Sequence, residues 1–336
     1  MKNFKTAIKI LISLGLGVGL IVWFWTSMSE TDKTETINAF KRANYFWVLM
    51  APLVGFLGNF IRTQRWRLML RPLGYNPGYW NTFHSVMVMY FFNLFVPRLG
   101  EVTRCTMLAE YENVPVEKSL GTMVTERLLD VICLGGVFLC IILFLGKDNF
   151  NSIYQEFKQL TSGVQGGTVS TILKYAVPVL LVTGIGGFSL YYIQKNGFDK
   201  LKELVLSKIK SLLSSVFSVK DIKEKPQFLL LTVSMWLSYL VMFYINYKAL
   251  PETSDLPFVS ALVCLFFGSL AVVLTPGGIG IFPIVIQTIL VGFAINPSIA
   301  LAIGMIAWAV QTLGVLIGGT ISLILLNLLN KKTEVA

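Results

Sequence analysis

The chain has 336 residues, of which 54% are hydrophobic and only 14% charged, and its mean hydropathy is +0.69. Soluble domains carry about a quarter of charged residues, so this balance excludes a soluble globular protein and fits one membrane domain with short loops. The net charge of +10 does not call for nucleic acid, because its distribution sorts the loops into two faces.

In chain order, the first apolar run, 8–25, follows Lys2, Lys5 and Lys9. It is about 18 residues long and ends in Trp23, Trp25 and Thr26 without a small-x-small cleavage site, so it predicts an uncleaved first span. Six spans of about 20 residues are expected, near 8–27, 45–62, 119–145, 172–194, 228–250 and 298–327. Between them, 80–112 and 257–295 are apolar but broken near the middle, by "PRLGE" (97–101) and "TPGGIG" (275–280). Cys105, Cys133, Cys140 and Cys264 lie in or beside apolar segments without C-x-x-C spacing and read as packing residues, with no metal or cofactor implied.

Short cytoplasmic loops carry the excess of Lys and Arg. Loop 62–79 holds Arg62, Arg65, Arg67 and Arg71 with no acid, and 195–226 holds eight lysines against four acids. Loops 28–44 and 146–170 are close to balanced, and 251–256 carries only Glu252 and Asp255. The basic loops, both termini included, share the cytoplasmic face if each broken region enters and leaves the membrane on one side. Each is then a re-entrant helical hairpin, the first from the cytoplasm and the second from outside. The expected fold is an all-α polytopic membrane protein in which span, hairpin and span recur with inverted topology. Pro97 falls against Pro276, Gly100 against Gly280, "NVPVEKS" (113–119) against "INPSIA" (295–300) and Gly135-Gly136 against Gly318-Gly319, at offsets of 179 to 183. The chain divides into 1–44 (first span and outer loop), 45–145 (repeat 1), 146–227 (connecting span and basic helix) and 228–327 (repeat 2). Inverted repeats with interrupted helices belong to transporters whose site lies near the midplane.

Within 195–226, Leu201, Leu204, Val205, Ile209, Leu212, Leu213 and Val216 follow a helical period, with lysines opposite. Residues 199–220 are expected either to lie on an anionic membrane surface or to form a solvated linker helix on the protein itself.

Backbone that is not helical inside lipid must be buried in protein or line a cavity. Gly100, Gly277, Gly278 and Gly280 permit tight backbone beside Pro97 and Pro276, and the half-helices after them present positive N-termini to an anionic occupant. Arg98 and Arg104 suit phosphate or carboxylate. Glu101 either caps the helix and pairs with one of these arginines or acts on substrate. In "TERLLD" (125–130), Glu126 and Arg127 lie about 10 to 12 Å into a span beginning near Ser119, and Asp130 about 16 Å. Glu126 and Asp130 share a face, while Arg127 meets Asp130 at i+3. These charges either contact substrate or lock the helix to its neighbours.

The arginines of "FIRTQRWRLMLR" (60–71) read chiefly as a positive-inside collar, with Trp66 as an interfacial anchor and a head-group contact as the alternative. His84 reads as a satisfied structural residue, Gln287 and Gln311 as interhelical hydrogen-bonders, and the glycines of "LGLGVG" and "GVLIGGT" as close helix packing.

The set "NLFVPRLGEVTRCTML" (93–108), "TERLLD" (125–130) and "LTPGGIG" (274–280) resembles the lysylphosphatidylglycerol synthase transmembrane-region family, flippase-like proteins related to the N-terminal half of the multiple-peptide-resistance factor, from about residue 8 to 327. The resemblance implies a bacterial inner-membrane protein that moves phospholipid or lipid-linked head groups between leaflets. It marks Arg98, Gly100, Glu101, Arg104, Glu126, Arg127 and Asp130 as the polar centre. With Pro276, Gly277, Gly278 and Gly280 of the second break, these are the candidate substrate-binding residues. Full-length synthases append a soluble aminoacyl-transfer domain, and this chain stops at Ala336, so no synthesis of aminoacyl lipid is expected. Family members often place an acid soon after "PGGxG"; here Ile281, Phe282 and Pro283 follow, leaving the second break less polar. The leading expectation is a lipid translocase. The alternatives are a membrane-embedded transferase on a lipid or polyprenyl carrier, with Glu101 or Asp130 as base, and an accessory protein that organises lipids.

Overall fold

The computed structural model describes residues 25–26, 30–145, 151–153, 155 and 218–330. The expected spans at 8–27 and 172–194, the "LGLGVG" glycines and almost all of 199–220 lie outside the described residues. Within them the chain forms helices and no strands, and it is an all-α membrane protein. The helices are α1 (Glu30–Arg42), α2 (Tyr45–Leu70), α3 (Tyr79–Asn93), α4 (Leu99–Glu112), α5 (Val116–Phe144), α6 (Lys225–Tyr247), α7 (Phe258–Leu274), α8 (Ile281–Val291) and α9 (Pro297–Leu329). Four of them, α2, α5, α6 and α9, are long and apolar enough to cross a membrane, as the runs at 45–62, 119–145, 228–250 and 298–327 predict.

The order long, short, short, long occurs in 45–144 and again in 225–329. Four helix pairs join the two halves: α2 on α6, α3 on α9, α5 on α7 and, less extensively, α2 on α9. Exchanging the halves converts the first three pairings into themselves, and α2 on α9 has no such counterpart. Each half has its own core. Trp66, Leu70, Val86, Met89, Cys105 and Leu108 form one, and residues of α6 to α9 dominate the other, with Ala39, Ala43, Val48 and Ile141 joining it. Cys105 and Cys264 are buried free thiols in these cores.

Glycine allows the halves to approach. A Cβ on Gly58 of α2 would lie 2.6 Å from the Ser238 Oγ of α6. On α9, a Cβ on Gly318 would lie 2.7 Å from Met87 Cε and one on Gly319 2.5 Å from Phe91 Cβ. Those glycines are the close-packing residues that the "GVLIGGT" pattern suggests. Gly135 and Gly136, their counterparts by offset, have open space around them, because α5 turns most of its surface outward: Leu128, Val131, Ile132, Leu139, Ile142 and Leu143 are exposed. Exposed aliphatic side chains along a long helix are what contact with hydrocarbon selects.

One boundary differs from expectation and matters for the site. The run 62–70, expected to be a loop, is the last part of α2. It remains helical because "IRTQRWRLML" contains no Gly or Pro until Pro72, and its interior face is covered on all sides. Arg65 and Trp66 have no exposed surface and Arg62 has 5%.

Candidate functional site

The centre is built around one carboxylate of α5. Glu126 is fully buried and meets four guanidinium groups. Arg104 Nη2 donates to its Oε2 at 2.6 Å, Arg65 Nη2 to its Oε1 at 3.1 Å and Arg127 Nη2 to the same oxygen at 3.2 Å, and Arg62 Nη1 completes the shell. Asp130, one turn on, accepts from Arg65 Nη2 at 2.9 Å and Arg62 Nη2 at 3.4 Å and lies 3.5 Å from Arg127 Nη2. The i, i+4 spacing of the two acids puts both on the face that α2 and α4 approach. Four guanidinium groups against two carboxylates leave two positive charges in excess.

Aromatic side chains fix the arginines. The Arg104 guanidinium carbon stands 4.3 Å from the Trp66 ring centroid, and the Trp66 indole nitrogen donates to Thr122 Oγ1 at 3.0 Å. Arg62 Nε donates to the Tyr239 hydroxyl of α6 at 3.4 Å, which ties the cluster to the second half. Trp66 is therefore a core residue and not an interfacial anchor. Of the four arginines read as a collar, Arg62 and Arg65 belong to the buried network. Arg67 and Arg71 keep peripheral roles: Arg67 Nε donates to the Pro77 carbonyl at 2.8 Å, and Arg71 pairs with Glu224 at 2.7 Å. The available signal was spacing, since Arg62, Arg65 and Trp66 lie at i, i+3 and i+4, one helical face, but a loop reading hides a face.

At the first break α3 ends at Asn93 and α4 starts at Leu99. The left-handed position is taken by Arg98, at φ 65°, and not by glycine. Gly100 serves close approach instead: a Cβ there would run into the Met89 carbonyl of α3. Its N–H donates to Asn93 Oδ1 at 2.8 Å, so one of the free amides at the start of α4 is satisfied by the protein itself. Glu101 is buried at 9% exposure, and its Oε2 has no hydrogen-bond partner. It forms no ion pair with Arg98 or Arg104 among the described residues. The Pro276–Gly278 turn at the second break has Gly277, Gly278 and Gly280 at positive φ, and the Gly277 carbonyl accepts from the Trp308 indole at 3.0 Å.

Between the halves lies a cavity of about 360 Å3. Arg62, Arg98, Arg127 and Asp130 line it from the first half, and Trp236, Tyr239, Ser269, Phe282 and Gln311 from the second. Arg98 is exposed and has no carboxylate partner among the described residues. Thus Arg98, Arg127 and Asp130 come together at one cavity, while Glu126 and Arg104 sit behind it. Gly100, Glu101, Gly277, Gly278 and Gly280 are not in its lining, and the side chain of Pro276 lies outside what the structure describes; the second break contributes its flanks, Val272, Val273 and Phe282. His84 is structural, with Nδ1 3.0 Å from Ser322 Oγ, and Gln287 donates to the Pro297 carbonyl at 3.0 Å. Gln311 instead faces the cavity and makes no interhelical bond among the described residues.

Fold and site define a polytopic all-α membrane protein with a buried, net-positive charge cluster beside a cavity between two halves. The family model for the lysylphosphatidylglycerol synthase TM region matches residues 7–319, and the chain belongs to that family. It is similar to the UPF0104 membrane protein MJ1595 of Methanocaldococcus jannaschii, at 24% identity over 91% of this chain and 90% of that protein. The UPF0104 membrane protein PH1989 of Pyrococcus horikoshii is 22% identical over 88% of this chain and 90% of its own length. The glycosyltransferase AglD of Haloferax volcanii is 24% identical over 88% of this chain, which spans about half (51%) of that protein. No solved structure matches.

Proposed function

We propose that this protein is a lipid translocase that moves a phospholipid or lipid-linked head group between leaflets through the cavity between its halves. One observation carries the reading: the cavity wall presents Arg62, Arg98 and Arg127 against one carboxylate, Asp130, and Arg98 has no carboxylate partner among the described residues. Charge held at membrane depth is costly, and an excess of guanidinium facing an open cavity is suited to a phosphate, which it can meet with paired hydrogen bonds. The head group would dock there while Glu126 and Arg104 hold α2, α4 and α5 in register behind it.

In this proposal the halves are inverted in the membrane, the two short-helix hairpins are re-entrant, both termini are cytoplasmic and the membrane is the cytoplasmic one. Rocking of one half against the other at the α2/α6 contact would expose the cavity to each leaflet in turn. Residues 199–220 would rest on the anionic surface.

A second reading has support from the name of the Haloferax volcanii relative: a membrane region that presents a lipid or polyprenyl carrier to a glycosyl-transfer reaction. The test is scrambling of fluorescent anionic phospholipid in proteoliposomes, with and without a soluble nucleotide-sugar donor. Scrambling that is lost in Arg98→Ala and needs no donor supports the translocase. Unaltered scrambling in Arg98→Ala, or product that forms only with donor, overturns it.

A further inference from the structure

The buried charge cluster meets the second half at one place. Among the described residues, the hydrogen bond from Arg62 Nε to the Tyr239 hydroxyl, at 3.4 Å, is the one polar contact between the cluster of Glu126, Asp130 and their four arginines and any residue of α6 to α9. Other side-chain links across the halves, His84 to Ser322 and Tyr111 to Asn327, use residues outside the cavity lining, whereas Arg62 and Tyr239 both belong to it.

Tyr239 also takes part in the most extensive helix contact between the halves, α2 on α6. Gly55, Gly58 and Arg62 recur at i, i+3 and i+7, one face of α2. Residues of α6 fill the space that the two glycines leave: a Cβ on Gly58 would lie 2.6 Å from Ser238 Oγ and 2.8 Å from Tyr239 Cε1, and one on Gly55 would lie 2.8 Å from Met242 Sδ. The Tyr239 ring is thus seated against Gly58, while its hydroxyl reaches one turn further along α2 to Arg62.

The acceptors around Arg62 are unequal. Nη1 and Nη2 meet carboxylates, and Nε meets a neutral phenol. A hydrogen bond to an ionised acceptor is about twice as strong as one between neutral groups, so of these three contacts the phenol is the one that an incoming anion displaces. Resting on the translocase reading for an anion in this cavity, we propose that Tyr239 couples occupancy of the cavity to the packing of the halves. Its hydroxyl holds Arg62 until an anion bound at Arg98 and Arg127 draws that guanidinium to itself, and α6 is then released from α2. Linkage supplies the consequence: an anion that binds at the expense of an inter-half bond binds more tightly to the state in which that bond is open, and favours that state by the same factor. Tyr239 is in this sense a positioning residue, which acts through Arg62.

The test reads affinity and helix separation on the purified chain in detergent, with dihexanoyl phosphatidic acid as the probe. Tyr239→Phe keeps the ring against Gly58 and removes only the hydroxyl. It is expected to bind the probe about two- to tenfold more tightly than the wild type by titration calorimetry, the factor to which one net hydrogen bond corresponds. A variant that merely disturbed packing would bind more weakly. Spin labels at two exposed positions, Leu57→Cys of α2 and Leu237→Cys of α6, report the separation of these helices once the part-exposed Cys133 and Cys140 are changed to alanine. The probe is expected to shift the distance distribution of the otherwise wild-type chain, and Tyr239→Phe is expected to show the shifted population before any probe is added. Absence of probe binding by the wild type, equal or weaker binding by Tyr239→Phe, a distribution that the probe leaves unaltered, or a Tyr239→Phe distribution identical to that of the probe-free wild type overturns the coupling. A chain that shows both expected results but scrambles no lipid in proteoliposomes overturns the translocase reading and leaves the coupling standing.

Discussion

Leu94 of the first break packs against Gly277 of the second: a Cβ placed on Gly277 would lie 2.6 Å from Leu94 Cδ2 and 3.5 Å from its Cα. The two interruptions, 183 residues apart in the chain (277 minus 94), therefore shield one another. Each removes the other's irregular backbone from lipid, as a non-helical segment at membrane depth requires.

This contact makes the glycines unequal. Gly277→Ala combines a positive φ of 56° with a clash against Leu94, and Gly100→Ala drives a methyl into the Met89 carbonyl. Both are expected to lower the melting temperature in detergent sharply or to abolish monodisperse protein. Gly135→Ala meets open space inside α5 and should be neutral or stabilising by about 0.5 to 1 kcal/mol. Fluorescence-detected gel filtration after a temperature ramp ranks the three.

Glu126 and Glu101 are both buried carboxylates with opposite surroundings. Glu126→Gln leaves four guanidinium groups facing Asp130 alone, and loss of one partner from a buried ion cluster costs roughly 3 to 5 kcal/mol. Glu101→Gln removes a carboxylate that forms no ion pair among the described residues and should alter stability by less than about 1 kcal/mol. Equal destabilisation of the two would contradict the charge network.

Arg62 and Arg65 differ in how they use the guanidinium. Arg62 reaches Glu126, Asp130 and Tyr239 with three separate nitrogens, whereas Arg65 meets both acids through Nη2 alone and leaves Nε and Nη1 unpartnered. A lysine ammonium can imitate one nitrogen but not three. Arg65→Lys is expected to cost about 1 kcal/mol or less, and Arg62→Lys about 2 to 3 kcal/mol, read from thermal unfolding of the two variants side by side.

Arg98 separates binding from folding. It is exposed, has no carboxylate partner among the described residues and is held at φ 65°, a region that costs a residue with a Cβ about 1 kcal/mol. Arg98→Gly should stabilise the protein slightly while it weakens binding of anionic lipid about tenfold or more. A simultaneous loss of stability and binding would show that Arg98 is a structural residue.

Much of this was readable from residue order. Long apolar runs gave α2, α5, α6 and α9 their places, and the proline and glycine breaks located both short-helix pairs. Charges in "TERLLD" announced a buried polar centre, because acids at that depth need partners. The partners were harder to see. Arg104 lies in a noted motif, but Arg62 and Arg65 stand among four arginines at the end of an apolar run, where the positive-inside rule offers a sufficient account of all four. Composition treats a surface arginine and a core arginine alike.

The sequence by itself determined class, the order long, short, short, long in each half, and which positions break the helices. These depend on local hydropathy and on backbone restrictions that a residue carries with it. Only the tertiary structure decided that α2 continues to Leu70, that Arg62 and Arg65 join Glu126 and Asp130, and that the charged residues lining the cavity come from the first half. Those facts are settled by which helices pack together. A side chain's periodicity fixes the face it occupies on its own helix, but the acids that meet Arg62 and Arg65 lie more than sixty positions away in the chain.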